Sequence, residues 1–84
     1  MTVDEVLQHD LRFRRMLLGR LQADCEYYLG FGNRSPRRLW AGSEKEQIEY
    51  MMKIYESFQE DEKPMWITME KIKEYSKEMG VTKA

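Results

Sequence analysis

The sequence predicts an all-α protein: one compact domain with three main helices at about 3–29, 44–58 and 69–79, and a short helical turn at 36–40. Apolar residues recur every three or four positions in three segments, which is the spacing of one face of a helix. Each segment also begins at a residue suited to capping a helix N-terminus. The length of 84 residues allows one small core, so residues 1–84 are expected to form a single domain.

The first helix is predicted to run from Val3 to Leu29. Thr2 and Glu5 match a capping box at its start, and Gly30 is a typical helix stop. Its inward face is formed by Leu7, Leu11, Leu18, Leu21, Cys25 and Tyr28. A straight helix of this span would be about 40 Å long, which is more than the rest of the chain can cover. We therefore expect either a kink at Gly19 or a projection of the first turns.

The second and third helices follow from similar signals. Ser43 and Glu46 form another capping box, and Thr68 is placed to cap the third helix. The second helix should end near Phe58, because the acidic run at 60–62 opposes the negative C-terminal end of the helix dipole. We expect that run to be a solvated loop. The predicted core consists of Leu18, Leu21, Tyr28, Trp40, Ile48, Met52, Tyr55, Trp66, Ile72 and Tyr75.

Residues suited to catalysis or metal binding are sparse. Cys25 is the one cysteine and His9 the one histidine, so the chain has no disulfide framework and too few ligands for zinc. Cys25 lies on the core side of the first helix, where a small buried hydrophobe is expected. No Ser or Cys partner stands near His9 to make it a catalytic base. We predict a protein that is not an enzyme, with no catalytic residues, metal, cofactor or small-molecule substrate.

The charge pattern and the N-terminus limit the possible settings. The net charge is −1, with every arginine at or before Arg38 and every lysine at or after Lys45, which excludes a generally basic polymer-binding protein. The segment from Thr2 to Glu5 is polar and acidic, unlike a secretory signal. No apolar run approaches the ~18 residues of a membrane span. The sequence thus predicts a cytoplasmic protein without membrane contact.

An arginine-rich loop is the first candidate binding site. Ser35 and Pro36 match a helix N-cap followed by proline at the first helical position, and Arg34, Arg37 and Arg38 surround them. Three cations at the positive end of a short helix are unfavourable unless an anion compensates them. The compensating group could be a carboxylate of the same chain, for which the candidates are Asp24, Glu26 and Glu44. It could instead be an external phosphate or acidic partner surface, with Tyr27 and Phe31 as a nearby stacking platform.

A second candidate is an apolar stripe of Val3, Leu7 and Leu11 at the start of the first helix. This stripe exceeds what the short second and third helices can cover, so it requires another surface. The sequence therefore predicts a homodimer or a protein partner docked along the N-terminal half of the first helix.

Three stretches of the chain resemble the large polyvalent protein-associated domains. They are Leu21-Gln-Ala-Asp-Cys-Glu-Tyr-Tyr-Leu-Gly-Phe-Gly-Asn-Arg34, Leu39-Trp-Ala-Gly42 and Lys63-Pro-Met-Trp-Ile-Thr68, together with Gln47-Ile48, Met51, Ile72 and Tyr75. The likeness covers about residues 17–79 and leaves 1–16 as a helical extension. It implies a small helical module of phages or conjugative elements, for which no catalytic residues are established.

We therefore predict a non-enzymatic interaction module of a mobile genetic element, which binds a protein partner through the first helix or the arginine-rich loop. The alternative is a nucleic-acid accessory protein that contacts phosphate through Arg34, Arg37 and Arg38. A helix-turn-helix is disfavoured, because the lysines of the third helix are matched by glutamates and leave that helix neutral.

Overall fold

The chain forms four α-helices and two 3-10 turns in a computed structural model, which describes residues 2–31 and 34–81 apart from the side chain of Arg38. In chain order these are α1 Val3–Leu7, α2 Leu11–Gly30, a turn at Pro36–Arg38, α3 Glu44–Ser57, a turn at Glu60–Glu62 and α4 Met69–Glu78. No strand occurs within the described ranges. The all-α prediction is confirmed, with α2, α3 and α4 as the three main helices.

The predicted first helix is divided in two, and the break lies before Leu11. Asp10 caps α2, and its Oδ1 accepts a hydrogen bond from the Phe13 amide at 2.9 Å. α2 continues through Gly19, so the long predicted helix is interrupted before Leu11 and not at that residue. Asp favours a cap over a helix interior because its side chain can bond to nearby backbone amides. The break allows α1 to turn back onto α3, where Val6 is completely buried.

α3 lies at the centre of the molecule and contacts α1, α2 and α4. Its inward side chains join those of the other helices in one cluster, whose members are Val6, Leu17, Leu18, Leu21, Cys25, Tyr28, Leu39, Ile48, Met51, Ile54, Phe58, Ile67, Ile72, Tyr75 and Met79. Trp40, Met52 and Tyr55, which were predicted for the core, pack against its edge and are partly buried.

Trp66 is a correction to the predicted core, because 45% of its surface is exposed. Its neighbour Ile67 takes the buried position before α4. The indole instead lies on the surface of α2, with its Cη2 atom 3.6 Å from the place where a Cβ on Gly19 would stand.

The acidic run at 60–62 does not extend α3, which ends at Ser57 with Phe58 as its C-cap. Instead of an irregular loop it forms a 3-10 turn. The Glu62 carboxylate stabilises this turn by accepting a hydrogen bond from the Gln59 amide at 3.0 Å.

A buried carboxamide joins three parts of the fold. Gln47 of α3 has no exposed surface. Its Nε2 donates to the carbonyl of Leu21 in α2 at 3.1 Å, and its Oε1 accepts from the amide of Ala41 in the preceding loop at 3.0 Å. Because both ends of the amide have partners, the cost of burying it is offset.

Gly19→Ala is expected to stabilise the protein by roughly 0.5–1 kcal/mol, because glycine is unfavourable in a helix interior. The new Cβ would meet Trp66 at 3.6 Å, an ordinary van der Waals distance. Gly42→Ala is the matched control and should destabilise the protein, since Gly42 has a φ of +90°. Urea unfolding of both variants measures the difference, and a lower stability for Gly19→Ala would contradict the packing at this position.

Gln47→Leu is expected to lower the free energy of unfolding by roughly 1–3 kcal/mol, because it leaves the Ala41 amide without this acceptor. Gln8→Ala, at an exposed position after α1, is the control and should change stability little. Thermal and urea unfolding provide the measurement. Equal effects for the two variants would show that the buried amide does not hold the helices together.

Candidate functional site

The outer side of α2 carries large exposed apolar side chains. Met16 is 63% exposed, Tyr27 42% and Phe31, the residue directly after the helix, 85%. Together with Arg20 and Ala23 they are spaced by three or four residues and therefore lie along one side of the helix. We call these five residues the α2 stripe. At 1.5 Å per residue the stripe is about 22 Å long.

The linker between the turn at Glu60–Glu62 and α4 lies beside α2. Met65 is 97% exposed, and the Trp66 ring lies next to Gly19. The linker is attached to α2 because the Gln22 Nε2 donates to the Trp66 carbonyl at 3.4 Å. The Trp66 side chain is thus added to the same surface, and Met65 is exposed on the linker that carries it.

The charged groups of this surface are arginines. Arg12 is exposed one turn before Met16, and 62% of the Arg20 side chain is exposed. Arg20 Nε lies 3.6 Å from Asp24 Oδ1, and such a solvated pair contributes little to stability. Both guanidinium groups are therefore available at the surface beside the apolar side chains.

The two acidic residues of α2 serve the fold. Asp24 Oδ2 accepts from the Trp40 amide at 2.9 Å, which holds the loop before α3. Glu26 Oε2 accepts from the Tyr75 hydroxyl at 2.8 Å, which links α2 to α4. Asp24 is 15% exposed, whereas Glu26 is exposed, so the outer side of α2 carries the apolar side chains, Arg12 and Arg20 beside one exposed glutamate.

The outer sides of α3 and α4 have a different composition. Their exposed charged residues are lysines and glutamates, namely Lys45, Glu46, Glu49, Lys53 and Glu56 on α3 and Glu70, Lys71, Lys73, Glu74, Lys77 and Glu78 on α4. Protein interfaces are enriched in aromatic residues, Met and Arg, and depleted of Lys and Glu. The α2 stripe has the interface composition, whereas the other two helices have that of a solvated surface.

The predicted arginine patch has a different partner from those expected. Arg34 Nη2 donates to the carbonyl of Glu78 at 2.8 Å, at the C-terminal end of α4, where the helix dipole favours a cation. Among the described residues no ion pair joins Arg34 or Arg37 to a carboxylate of Asp24, Glu26 or Glu44. The intramolecular alternative, a carboxylate of Asp24, Glu26 or Glu44, is therefore not found for Arg34 in the described part of the chain, and an external anion stays a prediction. Arg37 is exposed, and the side chain of Arg38 lies outside the described residues.

The apolar stripe of Val3, Leu7 and Leu11 is partly covered by the chain itself. All three side chains are half-buried, and Leu7 and Leu11 pack against the core. The other helices therefore cover part of this stripe, because the break before α2 lets α1 fold onto α3. A partner at this position stays a prediction.

The buried ionisable groups are neutral near neutral pH. Burial, followed by hydrogen bonding to Glu26, raises the pKa of Tyr75. Burial and the hydrogen bond to Glu44, at 2.6 Å, raise the pKa of Tyr28. Burial also raises the pKa of Cys25 from 9.0 to about 12, and the predicted burial of this thiol is confirmed. These side chains act as hydrogen-bond donors or packing groups within the fold.

Among residues 2–31 and 34–81, no group of three or more His, Cys, Asp and Glu could hold a metal ion. No helix there is long and apolar enough to cross a membrane.

Comparison with known proteins identifies a family for most of the chain. The family model described as large polyvalent protein-associated domain 11 matches residues 11–79. The match begins at the first residue of α2 and ends at the C-cap of α4, so it contains the whole α2 stripe and the linker beside it. No curated protein and no solved structure matches the chain.

Arg34→Ala is expected to lower the free energy of unfolding by about 1 kcal/mol, the contribution of one hydrogen bond. Alanine has the same difficulty as arginine with the φ of +56° at this position, so the change reports the guanidinium group. Arg37→Ala, on the exposed turn, is the control and should be nearly neutral. Urea unfolding of the pair checks this, and two neutral variants would show that the bond to Glu78 is not formed in solution.

Proposed function

The chain belongs to the large polyvalent protein-associated domain 11 family, and from this membership and the outer side of α2 we propose that it is an interaction module of a mobile genetic element. In this proposal it binds a protein partner through the α2 stripe, acts in the cytoplasm and is not an enzyme. The association of the family with the large polyvalent proteins of phages is consistent with that setting.

The observation that carries the proposal is the exposure of Met16, Tyr27 and Phe31 along one side of one helix, with Trp66 beside Gly19. Single exposed apolar residues are common on monomeric proteins, but several on one side of a helix favour an interaction site. Burial of apolar surface contributes roughly 25 cal/mol per Å². A partner that covers this surface would therefore bind through the same effect that holds the core together.

A separate observation supports the part of the proposal that the protein is not an enzyme. The Cys25 thiol is fully buried and its pKa is about 12, whereas a nucleophilic cysteine is accessible and has a lowered pKa. The buried tyrosines are likewise bonded to carboxylates within the fold. The exposed Met, Arg, Tyr and Phe side chains of the stripe suit binding to another surface.

The nucleic-acid alternative has less support than a protein partner. It relies on Arg34, Arg37 and Arg38, and the Arg34 guanidinium already donates to the Glu78 carbonyl. Nucleic-acid binding would still show itself through a linear decrease of log affinity with log salt concentration. A protein complex on an apolar stripe should tolerate added salt.

The proposal is tested with a triple variant, Met16→Ser, Tyr27→Ser and Phe31→Ser. These side chains are exposed, so circular dichroism should show an unchanged helical fold. Affinity capture from cells that contain the mobile element should lose the partner, with affinity reduced roughly a hundredfold because exposed aromatic anchors carry much of the energy of an interface.

The matched control replaces three exposed residues of α3, Glu49→Ser, Lys53→Ser and Glu56→Ser, and should capture the partner as the parent chain does. Undiminished capture by the α2 variant would exclude the stripe as the binding surface. A complex that disappears on nuclease treatment would support the nucleic-acid alternative.

A further inference from the structure

We propose that the surface of α3 covered by α1, here called the α1 seat, is a binding site for a short apolar helix of another protein, and that α1 occupies this site as a displaceable segment. The helix that fits the seat has the pattern of α1 itself. The seat and the α2 stripe are different surfaces, so this inference goes beyond the proposed function.

α1 is a separate unit with its own ends. Thr2 and Glu5 form a complete capping box at its start. At its other end the amide of Gln8 donates back to the carbonyl of Glu5 at 3.2 Å. Residues 8–10, which follow α1, are all exposed. α1 can therefore move as one unit, with the change in backbone angles confined to this exposed connection.

The attachment of α1 to the rest of the fold is small. A helix of five residues is too short to be stable without a surface to pack on, and the main contact of α1 is with α3. Val6 is its one buried residue, while Val3 and Leu7 are half-buried. Departure of α1 from its seat therefore exposes one fully buried side chain of its own, a change of the size found in the local openings of native proteins.

An arginine positions the connection between α1 and α2. Arg14 Nε donates to the His9 carbonyl at 3.0 Å, and its Nη1 donates to the hydroxyl of Ser57 at 2.8 Å. The His9 ring stacks on Phe13, with the two ring centroids 4.1 Å apart. Because Ser57 is the last residue of α3, these contacts hold the connection at that end of α3. The apolar contact of Val6 is what holds α1 itself.

The unit that the family model matches contains α3 but not α1. The match covers residues 11–79, which include α2, α3 and α4. In such a unit the part of the core under Val6 is uncovered, and an apolar surface of this kind favours a helix that lays its own apolar side against it. In this chain α1 supplies that helix, and the same surface can accept a helix from another protein when α1 leaves it.

α1 shows the chemistry of the ligand. Its apolar residues Val3, Val6 and Leu7 are spaced by three and four residues, so they share one side of the helix. Asp4 and Glu5 occupy the first turn, where acidic side chains interact favourably with the helix dipole. A helix with this pattern competes with α1 for the seat. Its apparent affinity is reduced by the fraction of molecules in which α1 is away from the seat.

Native-state hydrogen exchange of the full chain tests whether α1 opens by itself. The amides of Val6 and His9 donate to the carbonyls of Thr2 and Val6. They should exchange roughly a hundredfold or more faster than the most protected amides of α3, with little dependence on urea, because a local opening exposes little surface. Equal exchange rates for α1 and α3 would mean that α1 leaves only on global unfolding and would overturn the inference.

The second experiment measures binding at the α1 seat. The probe is a synthetic peptide of residues 2–10, and the receptor is the full chain with Val6→Ser, in which α1 docks more weakly. NMR shifts of α3 amides report binding. The peptide should bind this variant roughly tenfold or more tightly than it binds the parent chain, because burial of a valine changes a docking equilibrium by about this factor.

Two controls accompany the peptide experiment. The full chain with Gln8→Ala, at an exposed position, should bind the peptide as the parent chain does. A peptide that itself carries Val6→Ser should bind neither chain measurably, since it lacks the side chain that fills the seat.

Two results of this experiment contradict the inference. If the Val6→Ser chain keeps its helical fold by circular dichroism but binds the natural peptide no better than the parent chain does, the seat does not accept a separate helix. If Val6→Ser unfolds the whole chain, α1 is an integral part of the core and not a displaceable segment. Neither result bears on the α2 stripe, which is tested with other residues.

Discussion

The carboxamide of Gln47 is the interaction on which the arrangement of the helices depends. A fully buried amide is tolerated only when its donor and acceptor are paired, and here they are paired with the Leu21 carbonyl and the Ala41 amide. These bonds fix α3 against one side of α2 and hold the loop that precedes α3. Since Leu21 faces inward at this contact, the side of α2 that carries Met16 and Tyr27 is left outside the core. The exposed stripe is thus a consequence of how the core is closed.

Local signals in the sequence were sufficient for the helices themselves. The pairs Thr2 with Glu5 and Ser43 with Glu46, and Thr68 alone, cap helices where the sequence predicts them. The break at Asp10 was not predicted, because Leu7 and Leu11 preserve helical spacing across it. What separates α1 from α2 is the gain from burying Val6 against α3, a long-range contact that periodicity cannot show. Propensity identifies possible helices, and tertiary packing decides which of them are continuous.

The candidate site was only partly predictable for a related reason. Tyr27 and Phe31 were identified from their aromatic character, and Met16 was missed because attention to the apolar face of α2 leads toward Leu18 and Leu21. A helical-wheel reading of the opposite face would have found Met16 in register with Tyr27. For Arg34 the need for a compensating group was predictable. Its partner, a backbone carbonyl 44 residues later, was not, because a carbonyl at a helix end has no sequence signature.

The position of α1 decides which surface remains for binding. The family match begins at Leu11, so α1 is an addition to the matched unit, and it packs on α3. Its Leu7 contributes to covering the core, and this accounts for apolar residues that would otherwise suggest a docking site. Met16 in α2 and Phe31 directly after it remain 63% and 85% exposed. The first stripe is thus partly covered by the chain itself, whereas Met16 and Phe31 are more exposed, and a partner that covers them would do for α2 what α1 does in part for α3.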